Sequence, residues 1–344
     1  MTHSIGLYVH VPFCMPAKCP YCDFYSVRLT DTLAKRYTQA LKIAAHAYAK
    51  RLSDCVITSI YFGGGTPTLL EEQLTELLTY FQATFHVASN AEITVEANPG
   101  GNLETILPQL HAAGFNRLSL GMQSASDMEL CSLGRKHTML DTAHAVSLAR
   151  KAGFDNLSLD LMLATPGQTI ESALHSVEVA VDLAPEHISA YLLHVEPGTP
   201  YALQGIKEAK EDLQADCYLS VCKYLEAQGY AQYEISNFAK PGRHSRHNLC
   251  YWNDEEYLGL GPGAHSFLSG RRFFYPRDIQ RFIDIGTPED EGPGGSFSEY
   301  VMLRLRLKAG LLKKELQARF GLDFSVFDKK ALQRLEAGGF LHHS

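Results

Sequence analysis

The chain has 344 residues, 45% of them hydrophobic and 20% charged, with 31 basic residues against 38 acidic and a formal charge of -7. This is the composition of a soluble globular protein with enough material for a large core and roughly one to three domains; it excludes a disordered, collagenous or low-complexity chain. A net negative chain is not built around a nucleic-acid footprint, and only a local basic patch stays open.

In chain order, Leu7 to Val11 reads as a strand. Leu33 to Leu52 then reads as a helix with Ala34, Tyr37, Ala40, Leu41 and Ala44 on one face. Val56 to Phe62 is a second strand, Glu71 to Phe85 a second helix, and Glu92 to Glu96 a third strand. A helix from Leu103 to Ala113 is stopped by Gly114. Arg117 to Gly121, Asn156 to Met162 and His187 to Leu192 read as strands four to six, and further helices fall near Asp141 to Ala152, Ile170 to Leu183 and Asp212 to Gln228. Strands joined by helices of this length make right-handed parallel βαβ units. Six such units predict an α/β fold, a partial (β/α)6 TIM-like barrel whose functional residues sit at the carboxyl ends of its strands.

After Gly229 the rhythm changes. Tyr230 to Phe238 is strand-like, His244 to Phe267 is rich in Gly, His and aromatics, and Gly286 to Gly295 reads as a linker or exposed loop. Glu299 to Lys308, Leu312 to Phe320 and Asp328 to Ala337 read as three closing helices. Residues 1–229 are therefore expected to form the barrel, 230–285 an extension of it, and 296–344 a small C-terminal helical domain.

Three of the eight cysteines crowd into CMPAKCPYC, as Cys14, Cys19 and Cys22 with gaps of four and two residues. A secreted disulfide scaffold would be shorter and denser in cysteine. The N-terminus lacks the pattern of a signal peptide, and no apolar run approaches the roughly 18 residues of a membrane span. A reducing cytoplasm is expected, with at most peripheral membrane contact. Three thiolates in one loop after the first strand suit an iron–sulfur cluster with one open iron. They suit a closed zinc site less well, because no fourth Cys or His lies close downstream. The plain alternative is three thiols without metal.

The run LYVHVPFC…CPYCDFYS resembles radical S-adenosylmethionine (SAM) enzymes of the oxygen-independent coproporphyrinogen III oxidase type, and more narrowly their haem-chaperone branch, HemW. The resemblance implies that Cys14, Cys19 and Cys22 hold a 4Fe–4S cluster whose fourth iron is chelated by SAM. The family places three residues between the first two cysteines; here there are four, Met15 to Lys18, and the extra one is expected to be absorbed in the loop. The oxidases carry a further cysteine two positions after the third. Phe24 stands there, as in the HemW branch, and argues against oxidase activity.

Strand two runs into Gly63-Gly64-Gly65-Thr66-Pro67, a turn that lets a ligand approach the backbone. Taken alone it is as well read as a tight βα loop. Glu96, Gln123 and Asp160 fall at or in strands, where an Asp is unfavourable by propensity, and Arg135 follows in LGRKH. The resemblance groups Tyr8, Gly64, Glu96 and His194 around one SAM. It groups Tyr21, Gly65, Thr66, Gln123, Arg135 and Asp160 around a second SAM or the substrate. Where the family reads GLPGQT after strand five, this chain has Ala164-Thr165-Pro166-Gly167-Gln168-Thr169, losing a glycine.

His247-Asn248-Leu249-Cys250-Tyr251-Trp252 holds the only Trp and matches the HNxxYW pattern that the HemW branch associates with haem. An imidazole can ligate haem iron while aromatics pack the macrocycle; the alternative is that His247 and Trp252 simply pack between barrel and tail. Gly259 to Phe267 has the wrong glycine spacing for a dinucleotide loop. Cys217, Cys222 and Cys250 read as core thiols, and Lys308, Lys313, Lys314, Lys329 and Lys330 as a solvated face. By resemblance the tail is a shortened winged-helix-like domain.

The resemblance implies a protein that binds the cluster, SAM and haem and delivers haem to a haem-requiring protein. A flavodoxin- or ferredoxin-like electron donor and a homodimer belong to the same expectation. The competing readings are coproporphyrinogen decarboxylation, a radical SAM methyltransferase or tailoring reaction, and a binding protein that has lost its cluster.

Overall fold

The computed structural model describes residues 3–341. Residues 1–2 and 342–344, the outer ends of the first and last expected regions, lie outside it. The chain opens with β1 (His3–Val11), the short β2 (Phe13–Cys14) and β3 (Val27–Arg28), and α1 (Asp31–Ala49). It continues through β4 (Cys55–Gly64), α2 (Glu72–Thr84), β5 (Val87–Ala97), α3 (Leu103–Ala113), β6 (Arg117–Gln123), α4 (Asp127–Ser132) and α5 (Met139–Ala152). Next come β7 (Leu157–Leu163), α6 (Ile170–Asp182), β8 (His187–Leu192), α7 (Pro200–Leu203) and α8 (Glu211–Ala227). The remainder holds β9 (Ala231–Gln232), β10 (Asn237–Ala239), α9 (Arg246–Trp252), β11 (Tyr257–Leu260), β12 (His265–Leu268), β13 (Arg271–Phe274), α10 (Ile279–Asp284) and β14 (Glu289–Pro293). Three helices close it: α11 (Phe297–Arg304), α12 (Lys313–Phe320) and α13 (Lys329–Ala337).

The six expected strands lie side by side in chain order, β1-β4-β5-β6-β7-β8, all parallel. Their outward residues, such as Leu7, Val9, Ile60, Phe62, Val95, Leu118, Leu120, Leu159 and Ile188, are apolar and buried. Helices cover that face, with Leu74, Leu77, Leu78 and Phe81 of α2 and Leu107 and Leu110 of α3 fully buried. Helix starts follow side-chain caps: Thr30 accepts from Leu33 N, and Thr138 with Asp141 closes a capping box on α5.

Beyond those six strands the sequence reading needs correction. β11 is a seventh parallel strand, beside β1, so the sheet is wider than six units. Tyr230 to Phe238 gives two short strands: β10 is added antiparallel on β8, and β9 antiparallel on β10. The chain breaks between them because the Glu234 carboxylate accepts from Ser236 N (2.9 Å) and from the Asn237 side chain. Gly286 to Gly295 is not a linker: its centre is β14, the edge strand paired with β13. Proline and acidic residues mimic a loop in sequence, yet both are normal on a sheet edge, where Pro293 needs no partner and charge discourages further pairing. Arg271 pairs with Asp290, and Arg281 with Glu289 at 2.6 Å.

Asp254 ties the closing helices to this sheet. Its carboxylate meets Arg272 and Arg319 at 3.3 Å each. Lys313, Lys314, Lys329 and Lys330 face solvent and Lys308 pairs with Glu226 at 3.5 Å, as a solvated face requires. Cys217 and Cys250 are buried. No helix among the described residues is long and apolar enough to cross a membrane.

Candidate cluster and cofactor chamber

The cysteine loop is pinned at both ends. β2 pairs with β3, so Cys14 and Arg28 share a register across the loop's base. Gly65 N donates to Val11 O at 2.8 Å and Thr66 N to Phe13 O at 2.7 Å, which fastens the glycine turn after β4 to the same segment. The approach is so close that a Cβ on Gly65 would sit 2.4 Å from Phe13 O. Gly134 makes the matching contact on the far side, where a Cβ would meet Pro20 Cδ at 2.6 Å. Met15 to Lys18 are exposed while Cys14, Cys19 and Cys22 are half-buried, so the extra residue between the first two cysteines lies on the solvent side.

Behind the loop opens a chamber of about 1020 Å³, at the upper end of ligand pockets. The three cysteines, Tyr21, Gly64, Gly65, Thr66, Glu96, Gln123, Arg135 and Asp160 all line it. These are the strand ends that the barrel rule singled out. Glu96 accepts from Tyr61 Oη (2.7 Å) and Gly64 N (3.1 Å), and burial pushes its carboxyl up to about 7. Arg135 donates to Tyr21 Oη (2.5 Å) and Asn98 Oδ1 (2.6 Å), while Asn98 donates to Thr66 Oγ1 (2.9 Å). One network therefore joins the cysteine loop, the glycine turn and the loop after β5. Asp160 accepts from Ser119 Oγ at 3.0 and 3.1 Å, and burial raises its carboxyl.

The thiols fit a multi-iron cluster. All three line the chamber, and Cys14 and Cys19 each oppose ionisation of Cys22, after the larger effect of burial. No group of three His, Cys, Asp or Glu among the described residues is arranged to hold a single metal ion. A four-iron cluster asks for thiolates set wider apart than one ion does.

Three sequence-predicted residues stand elsewhere. The Tyr8 hydroxyl is tied to His10 Nδ1 (2.9 Å) inside the barrel, and Tyr8 is not on the chamber wall. His194 stands off the chamber wall: the loop after β8 turns its side chain out, 70% exposed, onto Glu208 at 2.6 Å. His247 lies deep in the fold. It is 1% exposed and faces the barrel interior, where Nδ1 meets Ser59 Oγ (2.9 Å) and Nε2 meets Tyr251 Oη (2.8 Å). A neutral imidazole has one donor and one acceptor, and both are taken. Burial lowers its pKa to about 3, so it stays neutral. The HNxxYW segment is helix α9, which lies against the lower halves of β1 and β4. The Glu92 carboxylate accepts from Arg246 N and His247 N at 3.1 Å each. Asn248 alone of the motif lines the chamber.

The sequence reading missed Tyr61, Asn98, Arg117, Ser119 and Ser189, which also line the chamber. For Asn98 a signal was available, since it stands two residues beyond Glu96 on the same side of the chain; Arg117, Ser119 and Ser189 share only the general inward alternation of their strands.

Residues 8–180 match the radical SAM superfamily profile, and 297–344 match the HemN C-terminal domain. The heme chaperone HemW of Bacillus subtilis (strain 168) is 36% identical, across 98% of this chain and 92% of that protein. The heme chaperone HemW of Escherichia coli (strain K12) is 35% identical, across 98% and 91%. Among solved structures, Escherichia coli coproporphyrinogen III oxidase (HemN) superposes with a TM-score of 0.83 over 98% of this chain and 83% of its own. At 22% identity that likeness shows the fold alone. A superfamily profile covering half the chain, with HemW relatives matched almost end to end, places this chain in the radical SAM superfamily and, within it, in the HemW family.

Proposed function

We propose that this chain holds a 4Fe–4S cluster on Cys14, Cys19 and Cys22, binds SAM in the chamber, and carries haem or a porphyrin to a haem-requiring protein. The observation that supports it most is the convergence of three thiols with Glu96, Gln123, Arg135 and Asp160 on one chamber. The HemW relatives are named as heme chaperones. Residues 1–229 supply the barrel, 230–285 its extension, and 296–344 the small tail domain.

A reduced cluster supplies one-electron chemistry to SAM when both are bound. The chain's own residues bind and orient. The glycine turn presents backbone groups to a ligand amine, with Gly64 held by Glu96. With its carboxyl pushed up to about 7, Glu96 can offer a ribose hydroxyl either a proton or a lone pair near neutrality. Arg135, fixed by Tyr21 and Asn98, presents a fork suited to a ligand carboxylate.

The second reading, coproporphyrinogen oxidation, is disfavoured by Phe24, an apolar side chain 59% exposed at the chamber mouth where that chemistry brings a further thiol. Anaerobic reconstitution with iron and sulfide, followed by haem titration and transfer to an apo haem protein, tests the proposal. Transfer without decarboxylated product supports it. Decarboxylation of coproporphyrinogen III with no haem transfer overturns it.

A further inference from the structure

The lower part of the chamber contains a cation with a buried donor left unused. Arg117 opens β6 and points inward, only 2% exposed. Its Nε is buried with no hydrogen-bond partner. Burial opposes its charge, but Glu92 and Tyr61 outweigh that, and its pKa is raised. The carboxylates that sustain the charge are bonded elsewhere. Glu92 accepts from the first two backbone N–H groups of α9. Asp160 accepts from Ser119, and from Ser158 Oγ at 3.4 Å.

A buried guanidinium with an unmatched donor is costly unless something completes it. Arg117 lies on the chamber wall with Asn248, Ser189 and Tyr191, and the same chamber runs up to the three cysteines. A planar fork of N–H donors matches a carboxylate bidentately.

We infer that the chamber floor is a carboxylate subsite, anchored by Arg117 and flanked by Asn248 and Ser189, that receives a propionate of the tetrapyrrole. This rests on the proposed haem reading and deepens it: the macrocycle lies toward the mouth and one acid arm reaches down the barrel. It also gives the HNxxYW helix a role that the buried His247 cannot have as a ligand. α9 sets the Asn248 amide on the floor and fixes Glu92 beneath Arg117.

The test compares haem with haem dimethyl ester, titrated by absorbance into the full-length reconstituted protein. The wild type is expected to bind haem about tenfold more tightly than the diester, the scale of one charge-assisted bidentate contact. Arg117→Gln is expected to erase that preference while keeping the diester affinity. Equal wild-type affinity for haem and diester overturns the subsite and leaves the haem reading standing. A preference that survives Arg117→Gln overturns it as well. A wild type that binds neither overturns both. If circular dichroism shows Arg117→Gln to be unfolded, Asn248→Ala takes its place, and an undiminished preference there overturns the subsite.

Discussion

The rim and the floor of the barrel are built from the same strands, yet apart from Arg117 they leave their polar groups in opposite states. At the rim, glycine turns bring backbone to within contact of the cysteine loop, and side chains such as Arg135 and Glu96 are held by one or two partners with capacity to spare. On the floor, Ser59, His247 and Tyr251 close on one another and Glu92 closes on α9. A histidine with aromatics is a ligand set only while its nitrogens are free. The imidazole of the HNxxYW motif has none free, so it acts as a structural bolt.

The rim is tested hardest by its thiols. Cys14→Ser, Cys19→Ser and Cys22→Ser are each expected to lose nearly all reconstituted iron and the cluster's visible absorption, with far-UV circular dichroism unchanged. Deleting Ala17, which sits in the exposed stretch between Cys14 and Cys19, is expected to keep the iron. Iron retained in two or more of the serine variants would break the rim assignment.

The floor is tested by His247→Ala. The truncation leaves the Ser59 and Tyr251 hydroxyls buried without their partner, at about 1–3 kcal/mol each, so a total loss of about 2–6 kcal/mol is expected in chemical denaturation. Iron and SAM binding should persist in the folded fraction. A stability change below about 0.5 kcal/mol would mean that the imidazole is not the bolt described here.

Acid should loosen the barrel interior. Burial lowers His247 to about 3, His10 to about 4, and His187 well below its ordinary value. Each must be neutral in the fold, while the unfolded chain protonates it near about 6.5. Their contribution is complete above that pH and is lost as pH falls toward the folded values, at up to about 1.4 kcal/mol per pH unit for each imidazole. Glu96 works the other way. With its carboxyl pushed up to about 7 from 4.5, the fold takes up a proton first as pH falls through that window, which offsets about one of the three histidines. His137 and His244 are lowered as well, and Asp160, Glu234 and Asp254 are raised, so the cofactor-free chain should lose stability as pH falls below about 6.5 while the raised carboxylates blunt the slope. A flat profile there would contradict the neutral, buried imidazoles.

The outer face of the barrel was legible because its period-2 apolar pattern repeats in every strand and each strand is followed by a helix-length segment. The inner face carried an equally regular pattern: Ser59, Tyr61, Gly63; Glu92, Thr94, Glu96; Arg117, Ser119, Gly121; Ser158, Asp160, Met162; His187, Ser189, Tyr191. Only Asp160 and Glu96 stood out, because serine, threonine and tyrosine in a strand carry no propensity penalty. Arg117 was legible in the same alternation and was passed over. β11 was not legible as a barrel strand, since its partner β1 lies at the other end of the chain and local pattern says nothing of pairing. Nor was the outward turn of His194, two residues past the end of β8, where the Val195 N–H and the imidazole both engage Glu208.

The smallest effect concerns the glycine that the chain lacks after its fifth barrel strand. Ala164 follows β7 with φ 56°, in the left-handed region that an L side chain enters at a cost of about 1 kcal/mol. The loop is held there by its neighbours: Gln168 donates to the Glu129 carboxylate at 2.8 Å, and Thr165 N meets Gln168 Oε1 at 3.3 Å. Ser172 and Ser124 add their hydroxyls to the same carboxylate. These bonds thus hold the turn whatever occupies position 164. Ala164→Gly removes the strain and keeps these bonds, but it also frees the unfolded chain, which takes back about 0.4–1 kcal/mol. The expected outcome is a change in thermal midpoint of at most a degree or two, with SAM binding unaltered. A large destabilisation would mean that the buried Ala164 methyl packs more firmly than the turn geometry implies, and that this rim loop depends on its side chain as the floor depends on His247.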